Sequence, residues 1–204
     1  MKALILIDIQ NDFLPGGSLE VPEGDLIIPV VNQIQTHFDL VVATQDWHPQ
    51  EHKSFASNHT GKQQFELIDL KGLPQVLWPD HCIQGSTGAE FSNKVSWNST
   101  EAIFRKGTDT EIDSYSGFYD NGHLKSTGLA DFLKGKNIKE VFVAGLAADY
   151  CVYFTALDST FEGFTTYLIE DATKAIDADG FQKAKQELTA KGARIIDSSY
   201  FSQL

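Results

Sequence analysis

Cysteine and methionine are scarce in this chain, with two of the first and one of the second among 204 residues. Two cysteines, Cys82 and Cys151, are too few for a disulfide framework, so a reducing compartment, the cytoplasm, is the expected location. Basic residues are also in the minority: 16 Lys and Arg stand against 28 Asp and Glu, for a formal net charge of -12. That balance argues against a nucleic-acid or anionic-membrane partner, since both call for basic patches. Long apolar runs are missing as well. The aliphatic start at residues 3–7 is interrupted by Asp8, which leaves it too short for a signal peptide or a membrane span. The sequons Asn58-His-Thr60 and Asn98-Ser-Thr100 matter only in a secreted chain. No repeat, low-complexity tract or linker divides the sequence, so residues 1–204 read as one domain, and 42% hydrophobic content is enough for a sizeable core.

What is present is an alternation of short apolar runs and amphipathic stretches. Residues 2–7, a continuous aliphatic run, read as a strand buried on both faces of a parallel sheet. A helix is predicted over 25–37, with Ile27, Val30, Val31 and Ile34 on one side and Pro29 tolerated in its first turns. Further strands are predicted at 38–43, 101–105, 141–144, 165–169 and 193–196, and further helices from about 126 to 135, from 151, and over 179–190. The pattern implies an α/β fold: a doubly wound, mainly parallel six-stranded sheet with helices on both faces. Ligands of such sheets bind beyond the carboxyl ends of the strands, where Asp8, Asp46, Lys106 and the turn before Cys151 all fall. Residues 44–98 show weak periodicity and carry four of the six histidines, and so long an excursion from a compact domain is usually functional.

The stretch Gly145-Leu-Ala-Ala-Asp-Tyr-Cys151 reads as strand, tight turn and helix start, with Asp149 at the N-cap and Tyr153, Phe154, Leu157 and Phe161 on the helix's apolar face. A cysteine in a first helical turn faces unpaired N–H groups that favour its thiolate. The amides of Cys151 and of Ala147 or Ala148 could receive the oxyanion formed when that sulfur attacks a carbonyl. The alternative is a buried structural cysteine. Asp8 and Lys106, ending the first strand and following the third, can converge on the same rim and supply an acid–base group and a charge, though each could equally be a turn former or a solvated side chain. Asp46-x-His48, with His52 and His81 nearby, has the donor types of a zinc, iron or manganese site, or is a set of solvent-exposed loop residues; His59 reads as a surface residue, and Cys82 ranks below His81 as a ligand.

Taken together, Asp8-Ile-Gln-Asn-Asp-Phe13, Thr44-Gln-Asp-Trp-His48-Pro, Trp78-Pro-Asp-His81-Cys, Lys106-Gly, Asp113-Ser-Tyr-Ser-Gly-Phe118 and Gly145-Leu-Ala-Ala-Asp-Tyr-Cys151-Val resemble, in order and over nearly the whole chain, the motifs of the nicotinamidase (pyrazinamidase) family of isochorismatase-like cysteine hydrolases. The resemblance implies a catalytic triad of Asp8, Lys106 and Cys151, and an oxyanion hole from the amides of Ala147 and Cys151 beside a cis Leu146-Ala147 peptide. It also implies one divalent metal ion, zinc first with iron or manganese as alternatives, on Asp46, His48 and His81, and a substrate pocket with Phe13, Trp78 and Tyr115. His52 aligns with a position that ligates metal in only some members and stays outside the set. Ala148 stands where a threonine is frequent, which removes any side-chain hydroxyl role there. The implied activity is hydrolysis of nicotinamide to nicotinate and ammonia through a thioester, a step of NAD salvage, with pyrazinamide also accepted; a homo-oligomer is compatible with the family. The rival readings are a hydrolase of another small amide and a catalytically silent metal- or ligand-binding module.

Overall fold

Five consecutive apolar side chains build the centre of the sheet: Ala3, Leu4, Ile5, Leu6 and Ile7 of β1 (Lys2–Ile7) are fully buried. The remaining strands are β2 (Leu40–Asp46), β3 (Leu67–Leu70), β4 (Leu73–Val76), β5 (Thr100–Lys106), β6 (Glu140–Leu146), β7 (Thr165–Lys174) and β8 (Arg194–Ile196), and the helices are α1 (Ile28–Ile34), α2 (Leu129–Gly135), α3 (Cys151–Phe161) and α4 (Ala178–Ala190). The structure is a computed structural model and describes residues 1–203. Six strands form one sheet in the order β5-β2-β1-β6-β7-β8, with every pair parallel.

Strand alternation sends neighbouring side chains to opposite faces, and each face has its own core. Leu4, Leu6, Val41, Ala43, Phe142 and Ala144 pack under α1. Ala3, Ile5, Ile7, Val42, Val141 and Val143 pack under α2, α3 and α4. Each fully buried aliphatic side chain contributes on the order of 1.5–3 kcal/mol. At Gly145 the strands press closest: its φ is 123°, and a Cβ would lie 2.1 Å from the Ile7 carbonyl oxygen. Any larger residue would push β6 off β1.

The predicted sheet and helices are present, with boundaries moved. The 25–37 helix is α1 flanked by 3-10 turns at Gly24–Ile27 and Gln35–His37. β2 starts two residues later than predicted and runs on to include Asp46, and β7 continues to Lys174. Within 44–98 lies an antiparallel hairpin, β3–β4, that the sequence pattern does not reveal, and its turn places Lys71 and Gly72 at φ 55° and 84°. Two readings of α3 need correction. Its inward face is Val152, Thr155, Ala156 and Ser159, while Tyr153, Phe154 and Leu157 are half-buried and Phe161 is 76% exposed. Small residues face the sheet because α3 starts hard against it at Cys151. Asp149 does not cap α3; its carboxylate accepts instead from the N–H groups of Ile176 and Asp177. Among the described residues no helix is long and apolar enough to cross a membrane.

Candidate active site

The sheet order reverses direction at β1: β2 and β5 lie to one side of it and β6, β7 and β8 to the other. Asp8 follows β1 and Cys151 follows β6, so both sit at this switch point, where open α/β sheets hold their ligands. Asp46 and Lys106 end the adjacent strands and are cross-strand partners.

Lys106 is the hub. Its fully buried Nζ lies 2.9 Å from Asp8 Oδ2 and 3.0 Å from Asp46 Oδ1. It donates to the Ser114 carbonyl at 3.0 Å and to Cys151 Sγ at 3.4 Å. Burial alone would strip its proton, but Asp46 and Asp8 raise its pKa well above the usual range, so it is a fixed cation. One ammonium shared by two carboxylates cannot satisfy both. Asp46 is held well below the usual carboxylate range, burial being outweighed by His48 and Lys106. Asp8 is pushed upward, because burial and the charge of Asp46 outweigh Lys106 and the 2.6 Å hydrogen bond from Thr44 Oγ1 to Asp8 Oδ1. Asp8 also holds a left-handed backbone, φ 47°, of the kind concentrated at functional sites.

Cys151 opens α3 as expected, yet its surroundings differ from a simple helix-start thiolate. Burial pushes the thiol well above its ordinary pKa, Lys106 opposes that, and Asp8 adds to it. The sulfur therefore carries a proton at rest, and the adjacent Asp8, itself raised toward neutrality, is the matched acceptor. The two turn amides differ. Ala148 donates to the Lys174 carbonyl at 2.8 Å, whereas none of the turn and loop bonds uses the N–H of Ala147 or of Cys151. The Leu146-Ala147 peptide is cis, as the resemblance implied.

Next to this group Asp46 Oδ2 lies 3.1 Å from His48 Nε2 and 3.6 Å from His81 Nε2, all three residues buried. Metal bonds of 2.0–2.1 Å at tetrahedral angles put ligand atoms about 3.3 Å apart, so the separations suit a shared ion. The tautomers suit it too. His48 Nδ1 lies 2.9 Å from the Gly107 carbonyl and His81 Nδ1 2.7 Å from that of Pro79. Carbonyls only accept, so each ring carries a proton on Nδ1 and turns its Nε2 to Asp46; burial lowers the His48 pKa but Asp46 outweighs it and raises it, and an ion bound there would take the place of a proton on Nε2. At Gly107, φ is 62° and a Cβ would fall 2.3 Å from His48 Cε1, so the residue must be glycine for His48 to sit where it does. His52 is different. It receives the Ser54 N–H on Nδ1 at 3.2 Å, which places its proton on Nε2, and burial with the His48 charge pulls its pKa down to about 4. Its Nε2 is buried and lacks a hydrogen-bond partner. Cys82 is fully buried and belongs to the core, not to the ligand group. His59 is half-buried, with Nε2 2.7 Å from the Lys53 carbonyl.

A cleft of about 340 Å³ opens onto both groups, lined by Phe13, Trp78, His81, Tyr115, Ala147 and Cys151 together with Leu19, Asp46, Asp113, Tyr150 and Ile176. Phe13 meets His81 edge-on at 5.5 Å, and Trp78 meets Tyr150 at 4.8 Å. Every residue named in the sequence for triad, oxyanion hole, metal and pocket thus converges here. Several supporting residues were not singled out. Thr44 shares a strand face with Asp46 by its two-residue spacing, which was the available signal. Gln10 grips the Asp46 backbone from both sides, accepting its N–H and donating to its carbonyl, each at 2.8 Å. Asp12 accepts the Cys82 N–H at 2.7 Å and so fixes the turn carrying His81. Tyr150 and Asp113 stand inside the quoted motifs but carried no role of their own.

Residues 2–199 match the isochorismatase domain. The chain is 50% identical over 197 residues to a nicotinamidase of Acinetobacter baylyi, covering 96% of this chain and 92% of that one. Among solved structures, an Acinetobacter baumanii nicotinamidase and pyrazinamidase superposes with a TM-score of 0.96 at 48% identity, covering 98% of this chain and 97% of the other. A Pyrococcus horikoshii pyrazinamidase in complex with zinc superposes with a TM-score of 0.79 at 38% identity, covering 96% and 98%. With the domain matched nearly end to end, the chain belongs to the isochorismatase family.

Proposed function

We propose that this chain is a nicotinamidase, hydrolysing nicotinamide to nicotinate and ammonia through a thioester on Cys151. The observation that carries the reading is the meeting of Cys151 Sγ and Asp8 Oδ2 on one buried ammonium, at 3.4 and 2.9 Å, at the floor of an aromatic-walled cleft. High identity to nicotinamidases along the whole chain supports the substrate.

Asp8 takes the Sγ proton as the sulfur bonds to the carboxamide carbon, and the carbonyl electron pair moves to oxygen, where the N–H groups of Ala147 and Cys151 receive it. Asp8 returns the proton to the amide nitrogen, the C–N bond breaks, and ammonia leaves a thioester. Asp8 then removes a proton from water as it adds to the thioester carbon; collapse expels the sulfur, which regains a proton, and nicotinate is released. Lys106 keeps Asp8 from becoming a permanently neutral acid and lowers the cost of negative charge on sulfur. Phe13 and Trp78 bound the ring-sized slot that holds the carbonyl over Sγ.

Asp46 Oδ2, His48 Nε2 and His81 Nε2 would hold one divalent ion, with zinc favoured by the donor set and by the zinc complex of the Pyrococcus relative. When bound, the ion supplies a Lewis-acid anchor for a ring nitrogen. Its absence from a ligand analogue tests the reading: nicotinamide and pyrazinamide should release ammonia, while benzamide, which has the shape but no ring nitrogen, should be slower by as much as about 10⁴-fold. Comparable kcat/KM for benzamide and nicotinamide would rule out the anchor, and no ammonia from nicotinamide would rule out the activity.

A further inference from the structure

Asp113 is a carboxylate with no role in the chemistry above. It lines the cleft beside Cys151 and Tyr115 and is 3% exposed. Its Oδ1 accepts the Ser114 N–H at 2.8 Å, and its Oδ2 accepts from Gln75 Nε2 at 3.0 Å. Both donors are neutral. Lys106, the buried cation of the site, pairs with Asp8 and Asp46, and the neighbours of Asp113 are His48 and His52, each with a ring nitrogen within 4.8 Å of one of its oxygens but neither in ion-pair contact. A buried carboxylate with no cation in direct contact is costly and calls for a reason. Its field reaches both sides of the cleft, raising the pKa of the Cys151 thiol and of the Tyr115 phenol beyond what burial does.

Substrate and product of the proposed reaction have nearly the same outline. One carries a neutral –CONH₂ and the other –COO⁻, so a snug aromatic slot cannot tell them apart by shape. Lys106 would hold the anion in place and slow turnover, as would a divalent ion on Asp46, His48 and His81. We propose that Asp113 sets the site's preference for the neutral amide over the anionic acid, by repelling the carboxylate product and so speeding its release. The inference rests on the amidohydrolase reading, and concerns product selection, not bond cleavage.

Equilibrium binding separates the two. Nicotinate and nicotinamide are titrated calorimetrically into the metal-replete Cys151→Ala protein and into the Cys151→Ala/Asp113→Asn protein, with bound metal measured in the same samples. Removing the charge should tighten nicotinate by about 10-fold or more, the size of a like-charge effect across a few ångströms of partly screened interior, while nicotinamide changes by less than about 3-fold. Asp113→Glu should restore weak nicotinate binding. Asp113→Ala should reproduce the split, since Gln75 Nε2 still reaches the Val76 carbonyl and Tyr115 Oη. Parallel shifts for both ligands, no shift for either, or loss of bound metal on Asp113→Asn would overturn the proposal. Absence of ammonia release by the wild-type chain would instead refute the activity on which it rests.

Discussion

Replacing Lys106 by methionine removes a charge while nearly keeping its volume. In the native site that ammonium lies within 3.0 Å of two buried carboxylates, at Asp8 and Asp46. Breaking a buried pair from one side typically costs about 3–5 kcal/mol, because the remaining charge loses its partner in a dry interior. For a chain of this size that corresponds to a fall in Tm of about 10 °C. The pH dependence gives the sharper test. Asp8 already has a raised pKa in the folded protein, so its ionisation weighs against folding: the stability it contributes is fully present below its unfolded pKa and is lost as pH rises through the folded one. Without Lys106 the folded pKa rises further and the penalty at neutral pH grows. The stability gap between wild type and Lys106→Met should therefore be largest near pH 7 and should narrow on acidification to about pH 5, as Asp8 takes a proton. Urea unfolding followed by tryptophan fluorescence at the two pH values measures it, and ammonia release should fall by at least about 10²-fold because a protonated Asp8 cannot accept from sulfur. A gap of equal size at both pH values, or near wild-type turnover, would refute the electrostatic account of the hub.

Cys151→Ala should fold normally and release no ammonia, whereas Cys82→Ala, a change in the core, should cost on the order of 1 kcal/mol in urea unfolding and leave turnover intact. Thr44→Val deletes the 2.6 Å hydrogen bond that favours ionised Asp8, so the acid limb of the kcat/KM profile should move to higher pH by about one unit; an unmoved limb would separate Asp8 from that limb. Gly107→Ala puts a methyl group 2.3 Å from His48 Cε1 and should lower the bound-metal stoichiometry measured by mass spectrometry, while Gly135→Ala, with open space around it, should not.

The sheet was legible because β1 and β6 carry continuous apolar runs of the kind that a strand buried on both faces accommodates. Strand-end positions then placed Asp8, Asp46, Lys106 and Cys151 on one rim without any contact being known. Three things escaped for physical reasons. The β3–β4 hairpin alternates exposed and half-buried residues along β3, and its one buried residue, Gln75 of β4, is polar, so its hydrophobic pattern is faint. The aromatic face assigned to α3 was misplaced because periodicity shows that apolar residues share a side but not which side meets the sheet, and here small residues take the contact. The protonation state of Cys151 depends on its burial, a property of the packed site that a helix-start argument does not contain.

The two halves of the site are joined through one carboxylate. Asp46 Oδ1 faces Lys106 at 3.0 Å, and Oδ2 faces His48 and His81 at 3.1 and 3.6 Å. Charge drawn to one oxygen is withdrawn from the other, so whatever occupies the histidine side changes how much of Lys106 is left for Asp8. The Gln10 clamp on the Asp46 backbone and the Gly107 carbonyl on His48 hold that geometry fixed. Losing Asp46 and emptying the proposed ion site are accordingly different perturbations. Without the ion, Asp46 keeps its full charge and competes harder for the ammonium; without Asp46, Lys106 belongs wholly to Asp8 and depresses its pKa, making it a weaker base toward a thiol that burial has made reluctant to ionise. On the proposed reading, Asp46, His48 and His81 would thus tune the base as well as hold the ion, and an ammonium divided between two acids would keep Asp8 able both to take and to return a proton.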